Sequence, residues 1–314
     1  MTKKRVLLIG SEGYVARVLE PFFYDNYDVD LCDLKWHKDP RNVEERPVMY
    51  KDFNDIKVHS IEKYDFIILL AGHSSVAMCK EDMKSSLNNN VRNFWNLVNK
   101  LGANQPLIYA SSASVYGNGE PYKQFFEHDP LPPATNWYDF SKQEIDRIAA
   151  LAGKKCYGLR FGTVCGASPN IRTELMLNSM YLSAQNTGVV RYNNEDTNRA
   201  ILGIQDLCNG VSAILQYIEE KGPRNPGAYN LASFNATIGY MAKETARIMG
   251  ANVQKVADSP TYSFMLNTEK FQQVFDWAPK QDIKDILDDL AQNHDKMKED
   301  YRGLYTRNRM IKYE

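Results

Sequence analysis

The 314-residue sequence is poor in the residue types that build metal centres and disulfide frameworks. It has five cysteines and five histidines, no Cys-x-x-Cys pair, and no histidine at metal-ligand spacing from another histidine or from a cysteine. Structural zinc sites and disulfide-rich folds need such clustered or paired side chains. We therefore expect no metal site, and we expect the cysteines to be free thiols in a reducing compartment.

The sequence also lacks a charge excess and long apolar runs. Its 38 basic and 39 acidic residues give a formal charge of -1 at pH 7, which gives no reason to expect a nucleic-acid or anionic-membrane partner. The apolar run at residues 6–9 is too short for a signal-peptide core, and the longest run, within residues 65–72, is far shorter than a membrane span. We expect a cytoplasmic protein with no membrane partner.

The first informative pattern is a strand followed by a glycine-containing turn and a helix. Residues 5–9 are typical of a strand buried on both faces, and Gly10, Gly13 and Ala16 follow at intervals of three. Gly10 allows a tight turn, Gly13 lets the backbone approach a phosphate, and the helix N-terminus favours the anion. The pattern predicts a dinucleotide-binding loop. Other loop residues are expected to contact the cofactor: Glu12, Tyr14 and Val15.

A carboxylate follows the second predicted strand, at residues 28–32. Asp33 lies about 20 residues beyond the glycine loop, where a carboxylate binds the adenosine ribose hydroxyls of NAD and repels a 2′-phosphate. Lys35 nearby leaves NADP as the open alternative. Residues in or after this strand and the next ones are further candidates for cofactor contact: Leu34, Asp52, Phe53, Leu70, Ala71 and Gly72. Asn90, on the inner face of a helix predicted at residues 85–100, is another candidate, or it is a surface amide. His73 and Ser75 are candidates for substrate contact, or are loop residues that meet solvent.

Two polar clusters later in the chain suggest proton chemistry. Ser111 and Ser112 follow a strand predicted at residues 107–110, and helical apolar spacing over residues 138–151 places Tyr138 and Lys142 one turn apart on one face. A phenol works as a base near pH 7 only if its pKa falls by about 3 units, or about 4 kcal/mol. An adjacent ammonium supplies part of that shift. A serine hydroxyl on the other side of the substrate oxygen completes a site that removes a proton from an alcohol.

The alternation of strands and helices predicts the fold class. Through about residue 166 it favours an α/β fold, a Rossmann-type doubly wound parallel sheet. We expect residues 1–165 to form a dinucleotide-binding domain to which residues 199–222 return, and residues 166–314 to form mainly a smaller C-terminal α/β substrate-binding domain. After residue 231 the sequence is read as helical and charged.

In their order and spacing, these motifs resemble the extended short-chain dehydrogenase/reductases, in the nucleotide-sugar epimerase/dehydratase group. The resemblance covers at least residues 5–231. It implies that Tyr138 is the base, that Lys142 binds the nicotinamide ribose and lowers the pKa of Tyr138, and that Ser112 hydrogen-bonds the reacting oxygen. It also implies a nucleotide-sugar substrate, with Arg199 at the diphosphate, and a homodimer formed through the helices predicted at residues 85–100 and 138–151. The implied substrate contacts are Ser112, Thr163, Arg172, Asn178 and Arg199, and Ser111 beside Ser112 is a further candidate for substrate contact.

Departures from the group narrow the implied reaction. Its dehydratases are similar to one another in carrying Asp-Glu directly after the active-site hydroxyl residue, where this chain has Ala113 and Ser114. Neither residue is a carboxyl acid or base. The implied reaction is hydride transfer at the C4 hydroxyl of the sugar, by a 4-epimerase or a 4-dehydrogenase and not by a 4,6-dehydratase. A 4-ketoreductase and a catalytically idle NAD or nucleotide-sugar binding protein are the alternatives. Ala16 and Gly72 also depart from the group, as do Asn193 and Asn194, which stand where it often has glycine.

Overall fold

A computed structural model describes residues 3–34, 47–120 and 123–297. The strands are β1 (Lys4–Ile9), β2 (Tyr27–Asp33), β3 (Val48–Tyr50), β4 (Phe66–Leu69), β5 (Leu107–Ser112), β6 (Gln124–Phe125), β7 (Cys156–Phe161), β8 (Thr163–Cys165), β9 (Val189–Tyr192), β10 (Asn198–Gly203), β11 (Gly227–Leu231), β12 (Phe234–Thr237), β13 (Asn252–Lys255) and β14 (Met265–Leu266). The α-helices are α1 (Ala16–Leu19), α2 (Val58–Ile61), α3 (Val76–Glu81), α4 (Met83–Leu87), α5 (Asn93–Lys100), α6 (Trp137–Leu151), α7 (Met176–Thr187), α8 (Ile204–Lys221), α9 (Ile238–Met249), α10 (Glu269–Phe275) and α11 (Ile283–Gln292).

The centre of the fold is a parallel sheet of seven strands. Their order is β11-β7-β5-β4-β1-β2-β3, and each adjacent pair is parallel. Chain order therefore reverses between β1 and β4, and ligands of doubly wound sheets bind beside that point, at the carboxyl ends of the strands. The predicted Rossmann-type α/β fold is confirmed.

Helices cover both faces of this sheet, which explains the continuous apolar sequence of β1. Val6 and Leu8 belong to a buried cluster that includes Leu207 of α8. Leu7 and Ile9, which point to the other face, belong to a cluster that includes Ile145 of α6. No helix in the described ranges is both long and apolar enough to cross a membrane.

Smaller sheets correct the interpretation of the C-terminal half. β12, β10 and β8 form a three-stranded sheet, and β13 pairs with β9 and β14 with β6. The reading of everything after residue 231 as helical was wrong, because β12, β13 and β14 lie there. These strands have two to four residues, too few for apolar alternation to be visible.

The expected return of residues 199–222 to the dinucleotide-binding domain stays a prediction. β10, where that segment begins, pairs in the three-stranded sheet, whereas β11, which lies beyond it, pairs with β7 in the parallel sheet. The division into two domains stays a prediction.

One turn between α4 and α5 is wider than an α-helical turn. Residues Asn88–Arg92 form a π-helical turn, and Asn89 and Asn90 are both buried there. Such a turn contains one residue more than the α-helix needs, and it is often found at functional sites. Here it directs two consecutive amide side chains into the protein.

Candidate active site

The carboxyl ends of the parallel strands open into a cavity of about 890 Å³. This volume lies within the range of small-molecule and cofactor sites. The structure brings most of the predicted site residues to its wall: Gly10, Gly13, Tyr14, Val15, Asp33, Leu34, Phe53, Leu70, Ala71, Gly72, Ser111, Ser112, Tyr138, Lys142, Thr163, Arg172 and Arg199. The remaining ones, Glu12, Asp52, His73, Ser75, Asn90 and Asn178, do not line it.

The glycine loop approaches the end of β4 so closely that a side chain does not fit. Gly10 has φ +87°, and a Cβ built on it would lie 2.4 Å from the backbone nitrogen of Ala71. The amide of Gly10 donates to the carbonyl of Cys32 at 2.8 Å, and that of Gly13 donates to the carbonyl of Gly10 at 3.0 Å. The loop is therefore a tight turn wedged between β1, β2 and β4, as the glycine spacing predicts.

Asp33 lies beside this loop at the end of β2. Its Oδ2 accepts a hydrogen bond from the backbone amide of Glu12 at 3.0 Å. The carboxylate thus holds the loop, and Asp33 also lines the cavity. Lys35, the residue that left NADP open, lies outside the described residues.

Asp52 supports the cavity wall without lining it. It caps the short turn Phe53–Asp55 by accepting from the amide of Asn54 at 2.8 Å, and it also accepts from the side chain of Asn93. This arrangement holds the buried ring of Phe53 against the cavity.

Asn90 has a similar supporting role under the loop after β4. Its Oδ1 accepts from the amide of His73 at 2.8 Å, and its Nδ2 donates to the carbonyl of His73 at 3.0 Å and to Ser141 Oγ at 3.1 Å. A Cβ on Gly72 would lie 2.8 Å from Asn90 Oδ1, which explains why glycine occurs at 72. Ser75 caps α3 through the amide of Met78.

Tyr138, Lys142 and Ser112 lie together on the part of the cavity wall formed by β5 and α6. Lys142 Nζ lies 5.8 Å from the ring centre of Tyr138 and donates to the carbonyl of Ala110 at 2.6 Å. The Ser112 hydroxyl lies 3.0 Å from that of Ser114. Two adjacent elements, β5 and the first turns of α6, therefore carry all three predicted catalytic side chains.

Burial dominates the electrostatics of this group. It raises the pKa of Tyr138, while the Ser112 hydroxyl and the Arg172 guanidinium lower it. Burial lowers the pKa of Lys142 to about 8. The Tyr138 phenol is thus protonated in the protein alone, and a further positive charge beside it would favour the phenolate.

Arg199 is a partly buried cation on the wall of the cavity. Its guanidinium contacts Thr261 Oγ1 and the Phe264 ring, and its Nε has no hydrogen-bond partner among the described residues. Burial lowers the pKa of Arg199 to about 10. A buried charge without a carboxylate partner is costly, so this geometry favours an anionic ligand.

Arg172 is another cation on the cavity wall, and Asn178 hydrogen-bonds its backbone. Arg172 Nη2 pairs with Glu174 at 2.7 Å, and its Nη1 donates to the carbonyl of Ser74 at 3.2 Å. Asn178 Nδ2 donates to the backbone carbonyl of Arg172 at 3.0 Å and to the Tyr14 hydroxyl at 3.1 Å. The fully buried Asn178 therefore positions groups that line the cavity.

Residues 166–178, which we call the strap, bind the outside of the glycine loop. Ser168 Oγ donates to the carbonyl of Tyr14 at 2.7 Å, and Asn170 Nδ2 donates to the carbonyl of Glu12. In return, the Tyr14 hydroxyl donates to the carbonyl of Gly166 at 2.9 Å. These groups are buried, so water does not compete for the bonds.

Comparison with known proteins agrees with this geometry. Residues 6–232 match the model of the NAD dependent epimerase/dehydratase family. The chain belongs to this family. Membership confirms the predicted nucleotide-sugar epimerase/dehydratase group and NAD as the cofactor.

The proteins to which this chain is similar differ in the reactions that their names state. UDP-glucuronate 4-epimerase 4 of Arabidopsis thaliana is 26% identical over 259 residues, which are 73% of this chain and 59% of that enzyme. The fold is similar to that of UDP-glucuronic acid 4-epimerase from Bacillus cereus, with a TM-score of 0.78, 16% identity and coverage of 94% of this chain and 100% of that one. It is also similar to dTDP-glucose 4,6-dehydratase from Bacillus anthracis, with a TM-score of 0.75, 18% identity and coverage of 93% and 98%. At such identities the structural likeness shows the fold alone.

Several cavity residues of this family member were not predicted. Residues 256–264 contribute Pro260, Thr261, Tyr262 and Phe264, and nothing in their sequence indicates a strand, a helix or a motif. Asn136 also lines the cavity, and its Oδ1 caps α6 by accepting from the amide of Asp139. An asparagine just before an apolar helical pattern is a capping signal, so this residue was available to sequence analysis.

Proposed function

We propose that the protein is an NAD-dependent nucleotide-sugar 4-epimerase. The observation that carries this proposal is one cavity that joins a Tyr138-Lys142-Ser112 proton-transfer group, a glycine loop with Asp33, and the guanidinium of Arg199, whose Nε has no hydrogen-bond partner among the described residues. A nucleotide sugar combines an oxidisable hydroxyl with a diphosphate, and the two ends of this cavity suit those two groups.

The residues present fit NAD. Gly10 keeps the loop free of side-chain bulk where it approaches Ala71, and Asp33 lines the cavity beside it. We propose that the loop holds the pyrophosphate, Asp33 the adenosine ribose, and Lys142 the nicotinamide ribose. When bound, NAD accepts a hydride from the sugar and returns it.

Proton transfer falls to Tyr138. It removes the proton from the C4 hydroxyl, and Ser112 holds the oxygen as it becomes a carbonyl. Burial favours the neutral phenol, while the positive charges of the oxidised nicotinamide ring and of Lys142 favour the phenolate. The sugar is oxidised at C4 and then reduced from its other face, with Tyr138 returning the proton.

Arg199 supports the assignment of the substrate class. Guanidinium groups bind phosphate oxygens through two parallel hydrogen bonds. Because the Arg199 guanidinium is partly buried and its Nε has no hydrogen-bond partner among the described residues, a diphosphate would offset the cost of its desolvation.

The wall near Tyr138 argues against dehydration. Ala113 is buried and Ser114 lines the cavity, and of the described lining residues only Asp33, at the cofactor loop, is a carboxylate. Elimination of water from a sugar requires a general acid and a base beyond Tyr138. The cavity supplies no carboxyl group for either role.

The strap favours an epimerase over a 4-dehydrogenase. An epimerase reuses its cofactor within each turnover, whereas a dehydrogenase must exchange it. The buried bonds of Ser168, Asn170 and Tyr14 fix the cofactor loop, and a loop that does not open retains its dinucleotide. This retention is what the epimerase cycle needs.

We also propose a homodimer. The helices α4, α5 and α6 expose large apolar side chains: Met83, Trp95, Phe140 and Leu151. Exposed apolar groups on neighbouring helices are typical of subunit interfaces. Sedimentation of the wild type and of Trp95→Glu tests this: a dimer that the substitution dissociates supports the proposal, and a wild-type monomer contradicts it.

The deciding experiment uses freshly purified protein. The bound dinucleotide is released by unfolding and identified by mass spectrometry, and the native protein is incubated with a panel of nucleotide sugars whose C4 configuration is followed by NMR. Near-stoichiometric NAD and inversion at C4 without added cofactor are expected. Net accumulation of NADH would identify a dehydrogenase, and NAD without any sugar chemistry would identify an idle binding protein.

A further inference from the structure

Residues 256–264, which we call the cap, cover the substrate side of the cavity without regular secondary structure. At one end, the backbone amide of Asn194 donates to Asp258 Oδ1 at 2.6 Å. Asn194 adopts a left-handed backbone conformation, with φ 51°. At the other end, the amide of Phe264 donates to the carbonyl of Asn198 at 3.1 Å. The cap is therefore anchored at both ends to the neighbourhood of β10.

The middle of the cap has a separate attachment, which crosses to the catalytic helix. The Tyr262 hydroxyl donates to Asp139 Oδ2 at 2.8 Å and accepts from Asn136 Nδ2 at 3.1 Å, and it also contacts the Thr135 hydroxyl. Tyr262, Asn136 and Tyr138 all line the same cavity. The cap and the catalytic tyrosine are thus connected through the first turn of α6.

Burying the Asp139 carboxylate at this position costs free energy. It is only 2% exposed, and its Oδ1 has no hydrogen-bond partner among the residues that the structure describes. The N-terminus of the 15-residue helix α6 stabilises a negative charge, but a buried carboxylate oxygen left unpaired still costs free energy. Asn136 caps α6, and its Nδ2 donates to Asp139 Oδ2, so Asp139 orients the N-terminal capping residue as well as Tyr262.

We propose that the Asp139–Tyr262 bond is a latch that closes the cap over the sugar, and that Tyr262 is a positioning residue for substrate. This inference rests on the proposed function, since it assumes that a sugar occupies the space between Tyr262 and Tyr138. Asp139 follows Tyr138 directly in the chain, so the latch fixes the cap and the base relative to each other. Closure keeps the 4-keto sugar in place until the hydride returns.

The latch has a consequence that ordinary structural support lacks. If the cap opens during turnover, the oxidised sugar leaves as a free 4-keto sugar, and the two electrons it lost remain on the protein as bound NADH. Weakening the latch therefore converts part of the epimerisation into a half-reaction. Reduced-nicotinamide absorbance and the free keto sugar must then rise together, in equal amounts.

The test compares Tyr262→Phe, Asp139→Asn, the double variant and Tyr240→Phe, which removes the hydroxyl of an exposed tyrosine on α9. A hydrogen bond to a charged group is worth roughly tenfold or more in an equilibrium. We expect both single variants to raise KM about tenfold and to accumulate NADH and keto sugar. The double variant should raise KM no further than either single variant. The control, Tyr240→Phe, should match wild type. Additive effects, or raised KM without NADH, would overturn the latch.

Hydrogen exchange of the cap separates this inference from the proposed function. Amides of residues 256–264 are compared in the wild type, Asp139→Asn and Tyr240→Phe without any substrate. Faster exchange in Asp139→Asn alone supports the latch even if no nucleotide sugar is turned over. Equal exchange in all three proteins rejects it even if epimerisation is observed.

Discussion

Lys142 Nζ donates to the carbonyl oxygen of Ala110 across 2.6 Å. Ala110 lies in β5 two residues before Ser112, and Lys142 lies in α6 one turn after Tyr138. The ammonium therefore joins the two elements that carry the proton-transfer group. It helps to hold Ser112 and Tyr138 at their distance from each other, and it places a positive charge beside them.

Tyr138→Phe should remove most of the activity and leave the fold intact. The ring keeps its packing, but the group that takes the proton is lost, which typically costs 10²–10⁴-fold in rate. Epimerisation rate and circular dichroism are the measurements. Bound NAD should be unchanged, and Tyr240→Phe is the matched control. A variant that kept a tenth of wild-type activity would remove Tyr138 from the base role.

Lys142→Met should inactivate the protein and remove the cost of burying the ammonium in the NAD-free state, offset in part by the loss of its bond to the Ala110 carbonyl. The pKa of Lys142 falls from 10.5 to about 8 through burial, so burying the charge costs up to about 3 kcal/mol at pH 7. That cost decreases as the pH rises from 8 toward 10.5, because the folded protein then releases a proton that the unfolded chain keeps. The stability of the variant relative to wild type must fall over the same window.

Denaturant unfolding of NAD-free wild type and Lys142→Met at pH 7 and pH 9.5 measures this difference. Lys84→Met, at an exposed position of α4, controls for the general effect of removing a lysine and should change stability by less than about 0.5 kcal/mol. A stability difference between Lys142→Met and wild type that is the same at pH 7 and pH 9.5 would contradict the account of its burial.

Arg199→Met should weaken binding of the nucleotide part of the substrate. A charge-assisted bond to a phosphate is worth about 1.5–3 kcal/mol, so the dissociation constant of a nucleoside diphosphate should rise by roughly 10- to 100-fold. Titration calorimetry on the variant and on Arg191→Met, which alters an exposed arginine of β9, measures it. Equal affinities in the two variants would exclude Arg199 from the diphosphate site.

Ser168→Ala and Asn170→Ala should accelerate loss of NAD. Each removes one buried donor from the strap and leaves a loop carbonyl unpaired, at a cost of about 1–3 kcal/mol. The NAD content after dialysis and the dissociation rate of NADH, followed by fluorescence, should show at least a several-fold change. Ser179→Ala, at an exposed position of α7, is the control. Retention equal to wild type would show that the strap does not hold the cofactor loop.

The parts of the site that the sequence predicted are those encoded by neighbouring residues. The glycine loop, Asp33 and the Tyr138–Lys142 pair each follow from a spacing within one strand-turn-helix unit or one helix, and the structure places all of them at the cavity. Asn90 was placed in the site by its position on a predicted helix, and Asn178 by resemblance. Whether their amides face the cavity or the backbone depends on tertiary packing, which spacing does not report.

The sequence did not predict the cap, for a different reason. Tyr262 meets Asp139 across 123 positions of the chain, and neither residue belongs to a periodic pattern that would suggest the contact. The short strands β13 and β14 on either side of the cap were missed as well. Contacts of this kind depend on the assembled fold.

Because Asn88–Arg92 form a π-helical turn, the geometry of the site depends on the number of residues in this segment. Deleting one residue would restore an uninterrupted α-helix and rotate the preceding residues by about 100° relative to α5. The Asn90 amide would then leave the backbone of His73, and the loop that contains Gly72 would lose its support. Single-residue length changes here should be tolerated far less well than substitutions on the exposed side of the same helix.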